Sequence, residues 1–331
     1  MQKKAETNSS FHLPVFQEHR QMLFSVAYRM MGSHEDAQDL LQETYIKFSD
    51  LKLEEIRNPR GFLVTIITRL AIDAKRSAYE KKRTYPGPWL PEPILDGFEE
   101  SMVLSETAGA AFLFLLEQLS PVERAVIVLR DVFDYEYSEI SGIVERKTDH
   151  CRKIAERARK RIRQEKRKEG STLSEYAQNS TSSVAGHMDE GRKRRFLISF
   201  QRACNQGDLN SLLGMLTEDI LVHTDGGGKV TAAMRTVFGA DRASRFFAGL
   251  AEKFPNTYTV PVSIGGTFSV LQYDGNDELS SVVQFRMASG RIAEVYAVRN
   301  PDKLKAVQRQ VRSSLLLRLK VRLYKALSRL I

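Results

Sequence analysis

The stretch from Leu119 to Arg163 reads LSPVERAVIVLRDVFDYEYSEISGIVERKTDHCRKIAERARKRIR. It opens with a strong helix-start signal. Ser120 can cap the helix, Pro121 suits the first helical position, and the side chain of Glu123 can reach back to the cap. The stretch therefore predicts a helix that begins at Pro121.

Two more helices are predicted behind this one. A short helix runs from Ser138 to Val144, and a polar break from Glu145 to Thr148 separates it from a strongly basic helix. Helix, tight turn and basic helix are the layout of a helix-turn-helix, whose second helix lies in the major groove of DNA. The stretch therefore indicates a DNA-binding protein.

The basic helix divides into two faces. We expect the side chains that face DNA to be His150, Arg152, Lys153 and Arg157. We expect Ile154, Ala155 and Ala158 to pack inward. Arginine or lysine to guanine is the commonest specific base contact, and the cations from Arg159 to Arg163 are expected to contact phosphate. Any one of these charges could instead be only solvated.

The positive charge is concentrated in two places. The chain has 331 residues and a formal net charge of +9. Residues 145–169 hold twelve Lys/Arg against five Asp/Glu, and residues 305–331 hold eight Lys/Arg and no acid. Because the two clusters are far apart in the sequence, they need separate explanations.

The cysteine pattern and the hydropathy indicate a reduced, cytoplasmic protein. Cys151 and Cys204 are the only cysteines and belong to no paired motif, which is typical of reducing compartments. We expect no secretory leader and no segment apolar enough to span a bilayer. We expect no metal site and no cofactor either.

Changes in composition divide the chain into segments. Pro86, Pro88, Pro91 and Pro93 exclude a helix or a central strand, whereas a Ser/Thr/Gly/Asn-rich stretch near residue 180 is typical of a flexible linker. Alternating segments after residue 258 indicate strands. The expected division is a helical domain (11–83), a proline-rich linker (84–105), a second helical domain (106–168), a flexible linker (169–191), an α+β domain (192–304) and a basic amphipathic tail helix (305–331).

The first helical domain contains a helix with one acidic face. Ser33 is its expected N-cap. The predicted buried stripe is Ala37, Leu40, Leu41, Thr44 and Phe48, and the opposite face carries Asp36, Asp39, Gln42 and Glu43. That face could simply be solvated, or it could dock on a basic protein surface while phosphate repels it.

The next helix begins at Asn58-Pro59-Arg60 and carries cations on one side. The candidates for contacts to the DNA backbone are Arg60, Arg69 and Arg76. A polar loop just before the helix, residues 51–58, together with these cations suits single-stranded DNA, whose bases enter pockets while the phosphates follow cations.

Several spaced motifs resemble the extracytoplasmic-function (ECF) group of bacterial sigma factors. They are Asp36-Ala37-Gln38-Asp39-Leu40-Leu41-Gln42-Glu43-Thr44, Asn58-Pro59-Arg60-Gly61-Phe62-Leu63, Leu70-Ala71-Ile72-Asp73 and the Leu119–Arg163 unit. The resemblance implies that the first domain opens the minus-ten promoter element, with loop 51–58 and thus Asn58 as base reader. It implies that Asp36, Asp39, Gln42 and Glu43 dock on the clamp coiled coil of the largest RNA polymerase subunit. The helix-turn-helix would bind the minus-thirty-five element.

Three further motifs resemble the subgroup of this family that carries a SnoaL-like C-terminal domain. They are Trp89-Leu90-Pro91-Glu92-Pro93, Asp225-Gly226-Gly227-Gly228-Lys229 and Asn300-Pro301-Asp302-Lys303-Leu304. The resemblance implies a cone-shaped curved-sheet domain that regulates polymerase binding and promoter activity through these residues. Glu145, Lys147 and His150 depart from the subgroup's usual residues, so its promoter preference does not carry over.

Catalysis is not expected in the α+β domain. His223 and Asp225 could supply a base, but the glycine run that follows is expected to place Asp225 in an exposed turn. A cavity for an unknown small ligand remains an alternative. For the whole chain, the alternative to a sigma factor is a stand-alone helix-turn-helix regulator with a ligand-sensing domain, which has no reason to carry the acidic helix.

The tail is a candidate surface helix. Its predicted apolar stripe is Val307, Val311, Leu315, Leu319, Leu323 and Leu327. A basic amphipathic helix of this kind can lie on an anionic membrane surface. It can also dock on the protein's own domains, on a partner or on DNA.

Overall fold

The computed structural model describes residues 2–83, 85–97, 109–168 and 190–328. Its chain forms two compact units. The first contains residues 1–84, 97–108 and 112–162, and the second contains residues 85–96, 109–111 and 163–331. Among the described residues, the structure has no helix that is both long and apolar enough to cross a membrane. The predicted flexible linker lies almost wholly outside the described residues, as does the second half of the proline-rich linker.

The first unit is helical. Its helices are α1 (Gln2–Met31), α2 (His34–Ser49), α3 (Pro59–Arg83), α4 (Ala110–Leu116), α5 (Pro121–Ile127, continued by a π-helical turn over Val128–Val132), α6 (Tyr137–Val144) and α7 (Thr148–Lys168). Residues 110–111 of α4 and residues 163–168 of α7 are counted with the second unit. A short 3-10 turn, Leu53–Glu55, precedes α3. Helix α1 packs against α2 and α3, and α3 also contacts α5 and α6.

The predicted helix starts are confirmed. The hydroxyl of Ser33 accepts a hydrogen bond from the backbone of Asp36. Ser120 and Glu123 form the capping box in front of α5, with Pro121 in the first turn. The predicted buried stripe of α2 is also confirmed, since Ala37, Leu40, Leu41, Thr44 and Phe48 are its buried residues.

The turn between α6 and α7 bends at one residue. Glu145 ends α6 in the left-handed conformation, with φ 54° and ψ 52°, and its N–H bonds to the carbonyl of Ser141. Glycine adopts this conformation without the Cβ penalty that other residues incur. The turn therefore forms in spite of its sequence.

Helix α3 is joined to α5 and α6 by polar contacts inside the first unit. The guanidinium of Arg69 donates to the carbonyls of Ile143 (3.0 Å) and Gly142 (2.8 Å). It also forms an ion pair with Glu145 at 3.0 Å. Deeper in the unit, the buried carboxylate of Glu117 pairs with Lys75 of α3 and with Arg124 of α5.

The second unit is an α+β domain that also includes residues 85–96 of the linker. Its elements are α8 (Glu190–Gln206), α9 (Leu209–Met215), β1 (Leu216–Asp225), β2 (Val237–Phe238), α10 (Ala240–Lys253), β3 (Tyr258–Ile264), β4 (Thr267–Tyr273), β5 (Leu279–Ala288), β6 (Arg291–Val298), α11 (Pro301–Ser313) and α12 (Leu315–Ser328). The strand order in the sheet is β2-β1-β6-β5-β4-β3. Pairing is antiparallel except between β1 and β6.

Strand alternation gives the sheet two different faces, because successive side chains point to opposite sides. Val222, Val270 and Phe285 belong to an apolar core with residues of α8, α9 and α10. His223 and Asp225 lie on the other face of β1 and are both fully buried.

The tail prediction of one continuous helix is wrong. Ser314 leaves the helical conformation (φ −95°, ψ 116°) and ends α11, and its hydroxyl accepts from the backbone of Leu317 at the start of α12. Val307 and Val311 are buried in α11, whereas Leu315, Leu319 and Leu323 of α12 are exposed. The residues of the predicted stripe thus have opposite environments.

Candidate functional site

The acidic face of α2 is exposed. Asp36, Asp39, Gln42 and Glu43 all point to solvent, opposite the buried stripe. One of the four makes a local ion pair, from Glu43 to Lys47 at 3.6 Å, and it is half-exposed. Because an exposed pair of this kind stabilises a helix only weakly, the face keeps its negative charge available for a partner.

Helix α7 presents its cations as predicted. His150, Arg152, Lys153 and Arg157 are exposed. Ile154, Ala155 and Ala158 are buried, which confirms the inward face. The contact of the exposed residues with DNA stays a prediction.

Several cations of α7 have partners within the first unit. Arg152 pairs with Asp149 at 2.8 Å and lies over the ring of Tyr137. Arg159 pairs with Asp131, and Arg161 with Glu123. These two arginines were expected to contact phosphate, so binding DNA would require them to exchange a carboxylate for a phosphate.

The four minus-ten candidates are all exposed but differ in their contacts. Asn58 caps α3 by accepting from the N–H of Gly61 at 3.0 Å. Arg76 pairs with Asp73 at 3.0 Å. Arg69 is bonded to the α6–α7 turn, as described above, and Arg60 is exposed. The contact of these four side chains with DNA stays a prediction.

The second unit brings its three sequence motifs together around Asp225. The expectation that Asp225 is exposed is wrong, because its side chain is fully buried. Its carboxylate accepts hydrogen bonds from the hydroxyl of Tyr85 (2.5 Å) and from the N–H of Leu90 (2.9 Å). Asp225 also forms a buried ion pair with Lys303 at 2.7 Å. One carboxylate thus holds the linker segment and the start of α11.

Lys303 contacts the same linker segment from its other side. Its ammonium donates to the carbonyl of Leu90 at 2.5 Å and lies 3.8 Å from the ring centroid of Trp89. A cation over an aromatic face is favourable, and more so when both groups are shielded from water. Leu90 itself is fully buried.

The glycines after Asp225 allow close approach. A Cβ at Gly227 would lie 2.3 Å from the amide nitrogen of Asn300, and one at Gly228 would lie 2.6 Å from the ring of Pro86. Both residues have positive φ, so a larger residue would be both strained and obstructed. The side-chain amide of Asn300 in turn donates to the hydroxyl of Tyr85 at 3.0 Å.

Two residues of this site, Tyr85 and Asp96, were not predicted from the sequence. Burial and the hydrogen bond to Asp225 raise the pKa of Tyr85 well above its usual range. Asp96 accepts from the N–H groups of Gly265 (2.7 Å) and Gly266 (2.9 Å) and fixes the far end of the segment to the β3–β4 turn. The sequence signal that could have identified them is that both lie within a few residues of the motif Trp89-Leu90-Pro91-Glu92-Pro93. We call residues 85–96 the docked linker.

The geometry does not support catalysis by His223 or Asp225. Burial lowers the pKa of His223 to about 4, and its Nδ1 lies 3.0 Å from the hydroxyl of Thr236. Asp225 is committed to its ion pair. Neither residue lines the cavity of the domain, which their neighbours Val222 and Thr224 do line.

Comparison with known proteins decides between the two candidate classes. Residues 15–80 match the family Sigma-70 region 2, and residues 110–162 match Sigma-70 region 4. The ECF RNA polymerase sigma factor SigJ of Mycobacterium tuberculosis is 29% identical over 302 residues, which cover 87% of this chain and 91% of SigJ. The chain is an ECF sigma factor.

Other comparisons extend over the same length. The probable ECF sigma factor SigI of M. tuberculosis is 26% identical over 309 residues, covering 89% of this chain and 96% of SigI. The crystal structure of SigJ aligns with a TM-score of 0.67 and 26% identity, covering 89% of this chain and 98% of SigJ. The predicted fold class, helical sigma domains followed by an α+β sheet domain, is therefore confirmed.

As a sigma factor, the protein binds RNA polymerase core and promoter DNA and directs initiation of transcription. It is not an enzyme, since phosphodiester chemistry belongs to the polymerase. The alternative of a stand-alone helix-turn-helix regulator is wrong, because region 2 is matched as well as region 4.

Proposed function

We propose that this sigma factor docks on the clamp coiled coil of the polymerase through α2, and that its C-terminal domain restrains it by holding the docked linker. The observation that carries the regulatory part is the Asp225 site, where a buried carboxylate bonds to Tyr85, Leu90 and Lys303. We propose that it works in the cytoplasm, where RNA polymerase works.

The acidic face of α2 supports the docking proposal. Its four polar residues are exposed on a helix whose other side is fully committed to the core. Complementary charge steers association and rejects wrong partners. A basic surface on the polymerase would meet this face, whereas DNA would be repelled from it.

We assign one set of DNA contacts to each of the two sigma regions, region 2 (residues 15–80) and region 4 (residues 110–162). We propose that Arg152, Lys153 and Arg157 of α7 read the minus-thirty-five element, with His150 beside them, because these side chains are exposed on one face. For the minus-ten element we propose loop 51–58 with Asn58 as base reader, and Arg60, Arg69 and Arg76 as phosphate contacts.

Distance supports a conformational change on promoter binding. The two elements are about 25 base pairs apart, which corresponds to roughly 85 Å at about 3.4 Å per base pair. A compact unit of about 150 residues has a radius of gyration of only roughly 15 Å. The contact of Arg69 with the α6–α7 turn therefore belongs to the free protein and must break on the promoter.

The docked linker limits how far the helices of region 2 and those of region 4 can separate. Twelve residues, 85–96, are held on the C-terminal domain. Released and extended, they would span about 40 Å, at about 3.3 Å per residue. While these residues are held on the C-terminal domain, this length is not available to separate the two regions. The C-terminal domain therefore acts as a restraint, and release of the docked linker activates the factor.

A pull-down with core polymerase tests the docking proposal. Asp39→Lys should abolish recovery of core while the far-UV circular dichroism is unchanged, because Asp39 is exposed. Glu252→Lys, an exposed charge reversal on α10, is the matched control and should recover core normally. Equal recovery by Asp39→Lys and wild type would exclude α2 as the docking face.

We also propose that α12 rests on an anionic membrane surface. Its exposed apolar side chains, Leu315, Leu316, Leu319 and Leu323, are 62%, 79%, 51% and 57% exposed. We call them the leucine face. Residues 305–331 contain no acid, so the same segment of a second copy would be repelled, whereas anionic lipid is attracted.

Vesicle flotation tests this contact. The full chain should float with vesicles of phosphatidylcholine and phosphatidylglycerol and not with phosphatidylcholine alone. Leu316→Glu with Leu319→Glu should abolish flotation, and Met234→Glu, at a side chain 63% exposed, should not. Flotation that survives the double change would exclude the leucine face.

A further inference from the structure

The C-terminal domain contains a large cavity on the face of the sheet opposite Asp225. Its volume is about 930 Å³, which lies within the range of small-molecule sites. Aromatic side chains form much of the wall: Phe200, Phe246, Phe247, Phe254 and Phe285. A cavity of this size and lining fits a ligand with a large apolar body.

Polar side chains also line the cavity, and some of the uncharged ones bond to each other. The hydroxyl of Ser281 donates to Gln272 at 2.9 Å, and that of Thr259 donates to Gln201 at 3.3 Å. Neutral groups in pairs of this kind impose no charge on the ligand.

The charged side chains of the lining are Arg245, Lys253, Asp274, Glu278 and Arg299. Arg245, Lys253 and Glu278 are exposed, and the carboxylate of Asp274 accepts hydrogen bonds from the N–H groups of Asn276 and Glu278. Arg299 is the half-buried cation among them. Its guanidinium lies 5.0 Å from the ring centroid of Phe254 and donates to the carbonyl of Thr231. No carboxylate within the described ranges forms an ion pair with it, and burial lowers the pKa of the guanidinium. A partly buried cation without an anion is costly, and a bound carboxylate would satisfy it.

The cavity wall is built from the same segments that hold the docked linker. Residues 230–233 line the cavity and directly follow the glycine motif, and Arg299, Pro301 and Leu304 line it beside Asn300 and Lys303. The N–H groups of Arg299 and Asn300 donate to the carbonyl of Asp225 at 2.7 and 2.8 Å. Movement of Arg299 is therefore transmitted to the Asp225 site through one residue of backbone.

We infer that the cavity binds an organic carboxylate with a large apolar body, such as a fatty acid, and that the bound carboxylate pairs with Arg299 and alters the hold on the docked linker. The coupling half of this inference rests on the proposed regulatory function. The binding half does not, because it needs only the cavity and Arg299.

Calorimetric titration of the full chain tests the binding half, with dodecanoate as probe and dodecanol as the uncharged control. Dodecanoate should bind at least about tenfold more tightly, since a charge-assisted hydrogen bond is lost in the alcohol. Arg299→Gln should weaken dodecanoate about tenfold and leave dodecanol unchanged. Arg299→Lys, which keeps the charge without the planar fork, should fall between the two.

The single tryptophan reports the coupling half. Trp89 is the only tryptophan of the chain and belongs to the docked linker, so its emission responds to the state of that segment. Dodecanoate should change the Trp89 emission of the wild type and leave that of Arg299→Gln unchanged.

Each outcome decides one half. Absence of binding, or equal affinity for acid and alcohol, overturns the ligand class. Binding without a change in Trp89 emission overturns the coupling and leaves the ligand class standing. If Asp225→Asn alone changes Trp89 emission while dodecanoate does not bind, the cavity inference fails and the regulatory proposal survives.

Discussion

The carboxylate of Asp225 is fully buried in the C-terminal domain, and burying a charge costs free energy unless partners compensate it. Its cost is offset by the ammonium of Lys303 and by hydrogen bonds from Tyr85, Leu90 and Gly227. Removing one partner of a buried ion pair leaves the other charge uncompensated. The docked linker therefore depends on this carboxylate more than on any exposed contact.

We predict that Asp225→Asn lowers the free energy of unfolding of the C-terminal domain by about 3–5 kcal/mol. Urea unfolding followed by Trp89 emission measures it. Asp302→Asn is the matched control, because Asp302 also pairs with a lysine, Lys229, but at the surface. It should cost less than about 1 kcal/mol, and equal losses in the two variants would contradict the role assigned to burial.

Glu145 carries a conformational cost in the helix-turn-helix. A non-glycine residue in the left-handed region is less stable by about 1–2 kcal/mol, and the exposed ion pair with Arg69 offsets only part of that. Glu145→Gly should therefore raise the melting temperature, corresponding to a gain of about 1 kcal/mol. A lower melting temperature would mean that the Arg69 pair outweighs the strain.

We predict that the start of helix α7 contributes to specific DNA binding and that its later residues contribute to non-specific binding. Arg152 lies near its start, where recognition helices reach base edges, and Lys160 lies further along on the exposed side. Arg152→Ala should cost about 1–3 kcal/mol on the cognate promoter and much less on unrelated DNA. Lys160→Ala should weaken both equally. Holoenzyme binding in a competition assay distinguishes these results, and equal losses for Arg152→Ala would count against its assignment.

Local signals determined how well each element could be predicted. The starts of α2 and α5 follow from Ser33 and Ser120, whose caps act over three residues. The tail shows the opposite case, because an unbroken apolar period continues through Ser314 although the helix does not. Ser314 ends α11 and caps α12, but a single serine does not interrupt the apolar period from which the helix was predicted.

The Asp225 site could be predicted only in part. The resemblance named its three motifs, but burial of the aspartate depends on Tyr85, 140 residues earlier, and on Lys303, 78 residues later. A turn rich in glycine is ordinarily exposed, so the sequence pointed to the wrong environment. The buried partner that reverses this expectation becomes visible only in the folded domain.

At the scale of the whole molecule, we propose that the DNA-binding helices must move apart on the promoter and that the C-terminal domain restrains this by holding the docked linker. The first unit carries the helices matched to regions 2 and 4, and the second unit holds residues 85–96. Release of the docked linker should therefore raise activity, and a cavity ligand offers one way to cause it.

Run-off transcription with core polymerase, on a promoter recovered from genomic fragments by the reconstituted holoenzyme, tests this account most directly. At equal occupancy of core, Asp225→Asn should give more transcript than wild type, and Asp302→Asn should give the same amount. Transcript from Asp225→Asn that is equal to or below wild type, with core binding intact, would contradict the proposal that the C-terminal domain restrains the factor by holding its linker.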